Sequence, residues 1–496
     1  MKKLLLPILM LLFLVNSISA QKNEIIIKGK IIGDVSEKIE YTTPINGTWF
    51  YGSKQSITPN SLGEFQITMN VESPSFVTIY IPKKANGTLL VESGKTYNIN
   101  FNLTSKDKKF IAKGKNSKAQ NIYNTFPNPD FNIYDIRDYK NDSIASVIIS
   151  KIKKVKEEEV SQFKELFNKN EISEGFLTLV KLDRECFYTA LQGRVASYKF
   201  MESKRNNSKK LKNVSINLWS ETFKDSPLTT SLFFRSPWFY TFADNFTEYN
   251  LFKNNSFDFE KLSKTYYHSG LRHSKIIEMS KIFLTENILE YFYASYIYFH
   301  GWQNEDNSKE LIKLYDDFKK EFPNSKYSEY LTTIITPIIK YHNKVDEETR
   351  SKDKFKFIDN FEKINSFKEL TKTLKGKKIY IDIWTTWCGP CKKEFKHKTK
   401  LKTLLESKNT EILYISHDKD ERNELWKEMI KGYDLEGYHI RANELLKADI
   451  IKIFGNNGSF YYPRYILIDE KGTVVNEYVA KPSESIKLEK QLNNLY

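Results

Sequence analysis

Cysteine is scarce in this chain, which has three cysteines among 496 residues. A chain of this length can bury enough apolar surface to fold without covalent crosslinks. The scarcity therefore excludes the small secreted scaffolds that depend on many disulfides. Two of the cysteines, Cys388 and Cys391, are separated by only two residues. We interpret this pair as chemically active rather than structural.

Long apolar runs are absent after the first 20 residues, which read MKKLLLPILMLLFLVNSISA. Two lysines precede an apolar stretch from Leu4 to Val15, and small or polar residues follow as far as Ala20, as in a secretory signal peptide. The stretch is shorter than the roughly 20 residues that span a bilayer, although an uncleaved anchor stays open as an alternative. We predict that residues 1–20 are a signal peptide and that the mature chain begins at Gln21.

This leader sets the expected location of the protein. We predict a periplasmic or cell-envelope protein without stable membrane insertion after the signal peptide is cleaved. No cysteine lies near the cleavage point, which argues against a lipoprotein anchor.

Positive charge exceeds negative charge, with 77 Lys and Arg against 62 Asp and Glu and a formal net charge of +15. Such a charge permits non-specific contact with nucleic acid or anionic lipid. The basic residues are scattered, however, with only short clusters at 106–115 and 203–213. We interpret them as a solvated surface and expect no nucleic-acid partner.

Residues 21–117 have the pattern of a small β-sandwich. Short runs rich in β-branched and aromatic residues are separated by Gly, Asn and Pro, and several of them alternate apolar with polar residues. The runs are EIIIKGKII, GEFQITMNV, SFVTIYIP, GTLLVES and KTYNINFNL.

Residues 118–345 have a helical pattern instead. Apolar residues recur at helical spacing in 175–200, and 309–342 predicts two helices broken at FPNS. Cys186 lies on the apolar face of a predicted helix and is interpreted as a buried, inert thiol, with a third redox role left open. The aromatic stretch 236–246 is interpreted as core, and a binding surface is the alternative.

Residues 346–496 alternate strands with helices, which predicts a βαβ unit and a sheet covered on both faces. The predicted strands include 377–384 and 410–418, and 463–479 is predicted to be a hairpin with its turn at Glu470–Gly472. The helix after the first of these strands is predicted to run from about 389 to 406. The predicted fold class is thus an α/β domain after a β-sandwich and an all-helical middle region.

The cysteine pair directly follows the predicted strand 377–384, at the start of a helix. Free N–H groups and the helix dipole stabilise an anion at such a position, so we expect a reactive thiolate at Cys388. Cys391 lies one turn further and faces the same side. Attack by Cys388 on a substrate disulfide would be resolved by Cys391, which closes a Cys388–Cys391 disulfide. Pro390 suits the first helical turn.

Four further residues strengthen this interpretation. Asp382 lies within the apolar strand, where burial would raise its pKa and suit it to accept a proton from the resolving thiol; a structural carboxylate is the alternative. Trp387 offers a flat apolar contact surface next to Cys388. A cis Tyr462–Pro463 bond would leave the Tyr462 backbone free to pair with an extended substrate, and a trans bond at a strand start is the alternative.

A zinc site and a structural disulfide are the two other interpretations of the pair. A zinc site needs two more ligands. Cys186 lies in another predicted domain, His397 has no usual metal-ligand spacing, and the sequence has no second CxxC pair. A structural disulfide that closes so short a loop would constrain little chain entropy. We therefore expect neither a metal nor a cofactor.

DIWTTWCGPCKKEF and the later YPRYILID resemble the thioredoxin superfamily. The segment FKFIDNFEKINSFKELTKTLKGKKIYIDIWTTWCGPC, followed by ISHDKDE and LIDEKG, is similar to the TlpA/ResA branch of exported thioredoxin-like proteins. This resemblance covers about residues 350–496. The front of the chain resembles the β-rich N-terminal module of TlpA-like proteins from Bacteroidetes, in which a helical segment often follows.

The resemblance implies that Cys388 is the attacking thiol, Cys391 the resolving thiol and Pro463 the cis-proline. Asp382 stands where cytoplasmic thioredoxins carry a buried Asp, whereas many TlpA-like members carry another residue there. Tyr462 departs from the small or aliphatic residue that usually precedes this proline, which bears on substrate preference rather than on the chemistry.

The expected activity is thiol–disulfide exchange with protein thiols and disulfides. The Gly-Pro dipeptide between the cysteines is that of thioredoxin and favours a reductase, which would need a membrane electron donor in an oxidising compartment. An oxidase or isomerase is one alternative. The other is an envelope binding or scaffold protein whose C-terminal domain maintains the thiols of a bound partner.

Overall fold

The computed structural model describes most of the chain, and the predicted signal peptide lies outside the described residues. These residues are 23–35, 38–106, 109–114, 116–127, 135–224, 232–262, 265–266, 271–347, 354–456 and 459–495. They divide into two compact units, one reaching Phe299 and including Lys313–Thr332, the other comprising His300–Ile312 and the chain from Thr333 onward. The domain boundaries set at 117/118 and 345/346 stay a prediction.

Two four-stranded sheets form a β-sandwich at the start of the first unit. Their strands are β1 (Glu24–Ile32), β2 (Ile39–Thr42), β3 (Lys54–Ile57), β4 (Glu64–Asn70), β5 (Ser75–Ile81), β6 (Ala85–Val91), β7 (Thr96–Asn102) and β8 (Phe110–Lys113). The strand orders are β4-β1-β7-β8 and β3-β2-β5-β6, and β1 and β7 pair in parallel. The five predicted strands are confirmed, and three short strands were missed.

The two faces of β5 explain how the sandwich is held. Val77 and Ile79 point into the core between the sheets, whereas Phe76 on the opposite face packs with Phe163 and Phe176 from two helices of the same unit. Alternate residues of a strand face opposite sides, so β5 is buried on both faces and joins the sandwich to the helices.

The middle of the chain is helical, as predicted. Its α-helices are Ser117–Tyr123, Ala145–Asn168, Glu174–Arg205, Lys209–Phe223, Phe239–Asn254, Phe259–Leu262, Arg272–Phe283, Glu286–Tyr298, Lys309–Glu321 and Ser328–Asp346. Among the described residues, no helix has both the length and the apolar character needed to cross a membrane.

The aromatic stretch at 236–246 and Cys186 both belong to this helical core. Trp238, Phe239, Tyr240 and Phe242 are each at most 2% exposed, which confirms the interpretation as core. Cys186 is fully buried, and burial raises the pKa of its thiol well above the ordinary value. An inert thiol is the consequence, because the thiolate is the reactive form.

A six-stranded mixed sheet organises the second unit. Its strands are β9 (Phe355–Phe357), β10 (Lys378–Trp384), β11 (Thr410–Ser416), β12 (Gly437–Arg441), β13 (Arg464–Ile468) and β14 (Val474–Asn476), in the order β14-β13-β10-β11-β12-β9. β9 to β12 pair in parallel, and β13 is antiparallel to both of its neighbours. The helices are Phe367–Thr373, Gly389–Phe395, Lys398–Glu406, Asn423–Tyr433, Glu444–Phe454 and Ser485–Leu495.

The prediction of one continuous helix from about 389 to 406 is wrong, because this segment forms two helices. The first helix ends where the His397 N–H donates to the Glu394 carbonyl, three residues back, at 2.9 Å. This tighter turn interrupts the α-helical pattern of bonds four residues apart. The predicted hairpin turn is confirmed, since the Asp469 N–H donates to the Thr473 carbonyl at 3.0 Å.

Candidate active site

The cysteine pair lies where the central strand β10 passes into the short helix Gly389–Phe395. Cys388 is the N-cap of that helix, with an extended backbone, and Pro390 occupies the first turn. The Cys388 N–H donates to the Thr385 carbonyl at 3.1 Å, which fixes the turn that leads into the helix. The position of the first cysteine at a helix start is therefore as predicted.

The two sulfur atoms differ in their surroundings. They are joined in a disulfide, and the Cys391 N–H points at Cys388 Sγ at 3.1 Å. Cys388 is 4% exposed and Cys391 is fully buried. A backbone donor aimed at Cys388 Sγ stabilises negative charge on that atom, and only Cys388 reaches the surface. The geometry thus separates an outer sulfur from an inner one.

Asp382 is buried in β10, as the sequence predicts, with 2% of its surface exposed. In the sheet it lies opposite Tyr414 of β11 and Tyr465 of β13. Burial raises the pKa of its carboxyl well above the ordinary value, and the negative charge of Glu394 raises it further. Asp382 Oδ1 finds no hydrogen-bond partner among the described residues. This carboxyl therefore favours its protonated form.

The side of β10 that carries Asp382 is also the side of the cysteines. Side chains alternate along a strand, so Asp382 shares its face with Trp384, which packs in one apolar cluster with Cys388 and Cys391. Ile381 belongs to a different cluster on the opposite face. The sheet thus presents the buried carboxyl toward the layer that contains both sulfurs.

Glu394 was missed by the sequence interpretation. It stands three residues after Cys391 on the same helix and is 8% exposed. Its carboxylate accepts hydrogen bonds from the Ser483 N–H at 2.8 Å and the Ser483 hydroxyl at 2.9 Å, and Lys481 Nζ lies 3.8 Å away. A buried, anchored negative charge therefore lies within the electrostatic range of Asp382.

Trp387, which directly precedes Cys388, contacts Tyr462, which directly precedes Pro463 and packs against the cluster that contains Cys388. Trp387 is 60% exposed, and the edge of one ring meets the face of the other between Trp387 and Tyr462, with centroids 5.6 Å apart. The Tyr462–Pro463 peptide bond is cis, as predicted. Two aromatic side chains distant in sequence thus form one surface beside the outer sulfur.

His417 was also missed, although a signal for it exists. It directly follows β11, which is parallel to β10 and ends beside it. Since the carboxyl ends of parallel strands meet at one edge of a sheet, polar residues after β11 are expected near those after β10. His417 Nδ1 lies 2.9 Å from the Tyr462 hydroxyl, and burial lowers the pKa of the imidazole to about 3.

A buried carboxylate at the end of β11 anchors the loop before the cysteines. Asp418 accepts hydrogen bonds from both the N–H and the hydroxyl of Thr386, each at 2.8 Å, and from the Ser416 hydroxyl at 2.8 Å. Arg422 Nη1 donates to the Thr386 hydroxyl oxygen at 3.0 Å. The residue before Trp387 is therefore held rigidly, which positions the exposed ring.

A segment that precedes the predicted C-terminal domain contacts the cysteine-bearing helix. Glu305 Oε1 lies 2.7 Å from Lys396 Nζ, and the Glu305 carbonyl accepts from Lys392 Nζ at 3.3 Å. Asn307 Nδ2 donates to the Tyr433 hydroxyl at 2.7 Å. These contacts lie within the second compact unit, so that unit contains more than the α/β sheet and its helices.

Comparison with known proteins shows what the C-terminal part of the chain is similar to. Residues 353–495 match the Redoxin family. Over 124 residues the chain is 31% identical to the thiol-disulfide oxidoreductase ResA of Bacillus thuringiensis subspecies konkukian, which covers 25% of this chain and 66% of that protein. It is also 31% identical, over 113 residues, to ResA of Bacillus cereus, covering 23% of this chain and 61% of that one.

A solved structure of the thioredoxin domain of a thiol-disulfide oxidoreductase from Bacteroides vulgatus also matches. The identity is 23%, the TM-score is 0.21, and the match covers 25% of this chain and 81% of that one.

Residues 353–495 thus match the Redoxin family and are similar to the ResA proteins, which confirms the predicted resemblance and fold class. The chain spans just under two thirds of the length of these curated relatives, 66% of the first and 61% of the second.

Proposed function

We propose that this protein is a thiol–disulfide oxidoreductase that exchanges disulfides with protein substrates through Cys388 and Cys391. The observation that carries the proposal is the pairing of an outer sulfur with an inner one at a helix start, with a backbone N–H aimed at the outer sulfur. A disulfide between the two sulfurs supports exchange chemistry over a metal site, which would need two thiolates.

The reaction begins with the reduced pair. The Cys388 thiolate attacks one sulfur of a substrate disulfide, forms a mixed disulfide and releases the other substrate sulfur as a thiolate, which takes up a proton. Cys391 then loses its proton and attacks Cys388 Sγ, which releases the second substrate thiol and closes the Cys388–Cys391 bond. Two electrons pass from the cysteine pair to the substrate.

Asp382 is proposed to serve the second step. Resolution requires that the buried Cys391 thiol lose a proton in surroundings without solvent. The raised pKa of Asp382 makes its ionised form a stronger base than an ordinary carboxylate, so this form can accept that proton and return it later. The alternative is that Asp382 is a purely structural carboxyl. The rate at which a variant with a neutral residue at this position resolves the mixed disulfide distinguishes the two roles.

Trp387, Tyr462 and Pro463 are proposed to bind the substrate. The exposed ring of Trp387 and the half-buried ring of Tyr462 form an apolar wall next to Cys388. An extended peptide that lies along this wall would place its own sulfur next to Cys388 Sγ.

The direction and the location of the reaction are finer proposals. The Gly-Pro dipeptide supports a reductase, because thioredoxin lies near about −270 mV whereas the oxidant DsbA lies near about −120 mV. The leader sequence supports export to the periplasm or cell envelope. A reductase there would depend on a membrane electron donor, because its surroundings would otherwise keep the pair oxidised.

The test is an insulin-reduction assay with the full-length protein, in which the reduced insulin chains are measured. The wild type should catalyse insulin reduction by dithiothreitol, and Cys388→Ser should abolish it, while Cys186→Ala should turn over like the wild type. Cys391→Ser should accumulate mixed disulfides with substrate through Cys388. Failure of the wild type to turn over, together with no trapped adducts, would contradict the proposal.

A measured reduction potential separates the finer alternatives. A reduction potential close to that of DsbA would indicate an oxidase instead of a reductase. The scaffold alternative gains no support from the stretch 236–246, because its large aromatic side chains are buried.

A further inference from the structure

Tyr462, the residue before the cis-proline, is held by His417. His417 is 3% exposed and presents Nδ1 to the Tyr462 hydroxyl at 2.9 Å. The edge of one ring also meets the face of the other, with centroids 5.6 Å apart and planes at 84°. Tyr462 is therefore fixed by a hydrogen bond and a ring contact to the same side chain.

The backbone of His417 is fixed as well. Its N–H donates to the Trp384 carbonyl at 3.0 Å, which extends the pairing of β10 and β11 by one residue. The side chain also contacts the ring of Phe460, with centroids 5.4 Å apart. The imidazole thus belongs to the rigid edge of the sheet and not to a loose loop.

The imidazole of His417 is a polar side chain in a buried position. His417 Nε2 is buried and has no hydrogen-bond partner among the described residues, and burying an unpaired polar atom opposes folding. The bond to Tyr462 is the side-chain hydrogen bond that His417 makes within the described part of the chain. Its effect is therefore to be sought at Tyr462.

Tyr462 connects His417 to the cysteines. On its other side, the Tyr462 ring meets Trp387 with centroids 5.6 Å apart and planes at 85°, and Trp387 directly precedes Cys388. A tyrosine has several staggered rotamers, and the bond to His417 selects the one in which the ring stands beside Trp387. A ring released from that bond could occupy the space next to Cys388.

We propose that His417 is a positioning residue that fixes Tyr462 against Trp387 and so determines how well polypeptide disulfides bind next to Cys388. This inference rests on the proposed function and names its substrate class: disulfides in extended polypeptide segments, which use the aromatic wall. Small disulfides do not need that wall. The prediction is therefore selective for polypeptides.

The experiment compares His417→Leu with the wild-type full chain. Leucine keeps the site apolar and removes the hydrogen bond to Tyr462. The KM for insulin should rise about three- to ten-fold while kcat stays within about two-fold, the scale expected for one hydrogen bond in binding. The single-turnover rate of the reduced protein with hydroxyethyl disulfide should stay within about two-fold, because that molecule spans too few atoms to use the wall.

Two matched variants complete the design. Tyr462→Phe keeps the ring and removes the hydroxyl, so it should reproduce the rise in KM. His417→Asn keeps a polar atom near the position of Nδ1 and should restore most of the wild-type KM. Thermal unfolding of each variant shows whether it is folded, and Tyr462→Phe tests the bond even if the His417 variants do not fold.

The outcomes are distinguishable. An unchanged KM for insulin in both His417→Leu and Tyr462→Phe would overturn this inference while leaving the proposed function intact. If His417→Leu lost activity equally with insulin and with hydroxyethyl disulfide, the inference would also be overturned, because such a loss would indicate a merely structural role. No turnover of either substrate by the wild type would instead contradict the proposed function.

Discussion

The ring of Tyr341 packs against Gly432 so closely that a Cβ on the glycine would lie 2.2 Å from Tyr341 Cε2. Tyr341 is 6% exposed and belongs to the same apolar cluster as Cys388 and Cys391. It lies before the segment that matches the Redoxin family, which begins at residue 353. The core that includes the cysteines is thus completed by a residue from outside that segment.

Gly432→Ala should destabilise the protein because of this contact. In an exposed helix the change would stabilise by up to about 1 kcal/mol, but here the new methyl group overlaps a packed ring, which costs about 1–3 kcal/mol. The measurement is urea unfolding followed by tryptophan fluorescence. Tyr341→Leu should recover part of the loss in the double variant, whereas a more stable Gly432→Ala protein would contradict the packing.

Asp382→Asn should change both stability and kinetics. The folded pKa of Asp382 is raised, so the folded state is most stable below the unfolded pKa and loses stability as the pH rises toward the folded pKa. Asparagine removes this loss, and the variant should be more stable than the wild type at neutral pH.

Asp382→Asn should impair catalysis although it stabilises the folded protein. Resolution of the mixed disulfide should slow at neutral pH, because the proton acceptor for Cys391 is gone. Rapid-quench analysis of the mixed disulfide measures this rate directly. A variant that is more stable but resolves at the wild-type rate would reduce Asp382 to a structural carboxyl.

His439 should make the protein sensitive to acid. It is fully buried, its Nε2 lies 2.7 Å from the Leu435 carbonyl, and burial lowers the pKa of the imidazole from 6.5 to about 3. A histidine held neutral stabilises fully above its unfolded pKa, and this contribution falls as the pH drops from 6.5 toward 3, by up to about 1.4 kcal/mol per unit.

His439→Gln tests this dependence. Glutamine can keep a donor near Nε2 and carries no charge, so the unfolding free energy should fall less steeply with acid than in the wild type. Urea unfolding over a series of acidic pH values gives the slope of the unfolding free energy against pH. His397→Gln, the same substitution at a half-buried histidine, is the matched control. An unchanged slope in His439→Gln would show that the imidazole does not resist protonation in the folded state.

Glu305→Gln should make Cys388 more reactive. Glu305 pairs with Lys396, the residue that caps the C-terminus of the cysteine-bearing helix. Its loss leaves an additional uncompensated positive charge there, which favours the thiolate. Alkylation of the reduced full chain by iodoacetamide at neutral pH should speed up by about two-fold at low salt and less at high salt, because salt screens the charge. Glu489→Gln, at an exposed glutamate on the last helix, is the charge-matched control. Equal rates in the two variants would contradict the effect.

Local sequence patterns were sufficient for much of the second unit. The apolar run of β10, the cysteines after it and the proline before β13 each lie within one element and its cap, so their positions followed from strand and helix signals. The short strands β9 and β12 were missed because three to five residues give too little periodicity to distinguish a strand from a loop.

The partners of the site residues required the tertiary structure. Tyr462 and His417 are 45 residues apart, and Tyr341 and Gly432 belong to separate helices. Pairing of this kind depends on strand order and on how helices cover the sheet, which periodicity does not encode.

The sequence by itself determined which atoms can carry the chemistry, because a cysteine pair at a strand–helix junction and a carboxyl inside an apolar strand are local features. The fold alone decided which side chains surround them. His417 meets Tyr462 and Glu305 meets Lys396 through long-range packing that places distant parts of the chain in contact. Glu394 is close to the cysteines in sequence, but its effect on Asp382 acts between a helix and a strand that only the fold brings together.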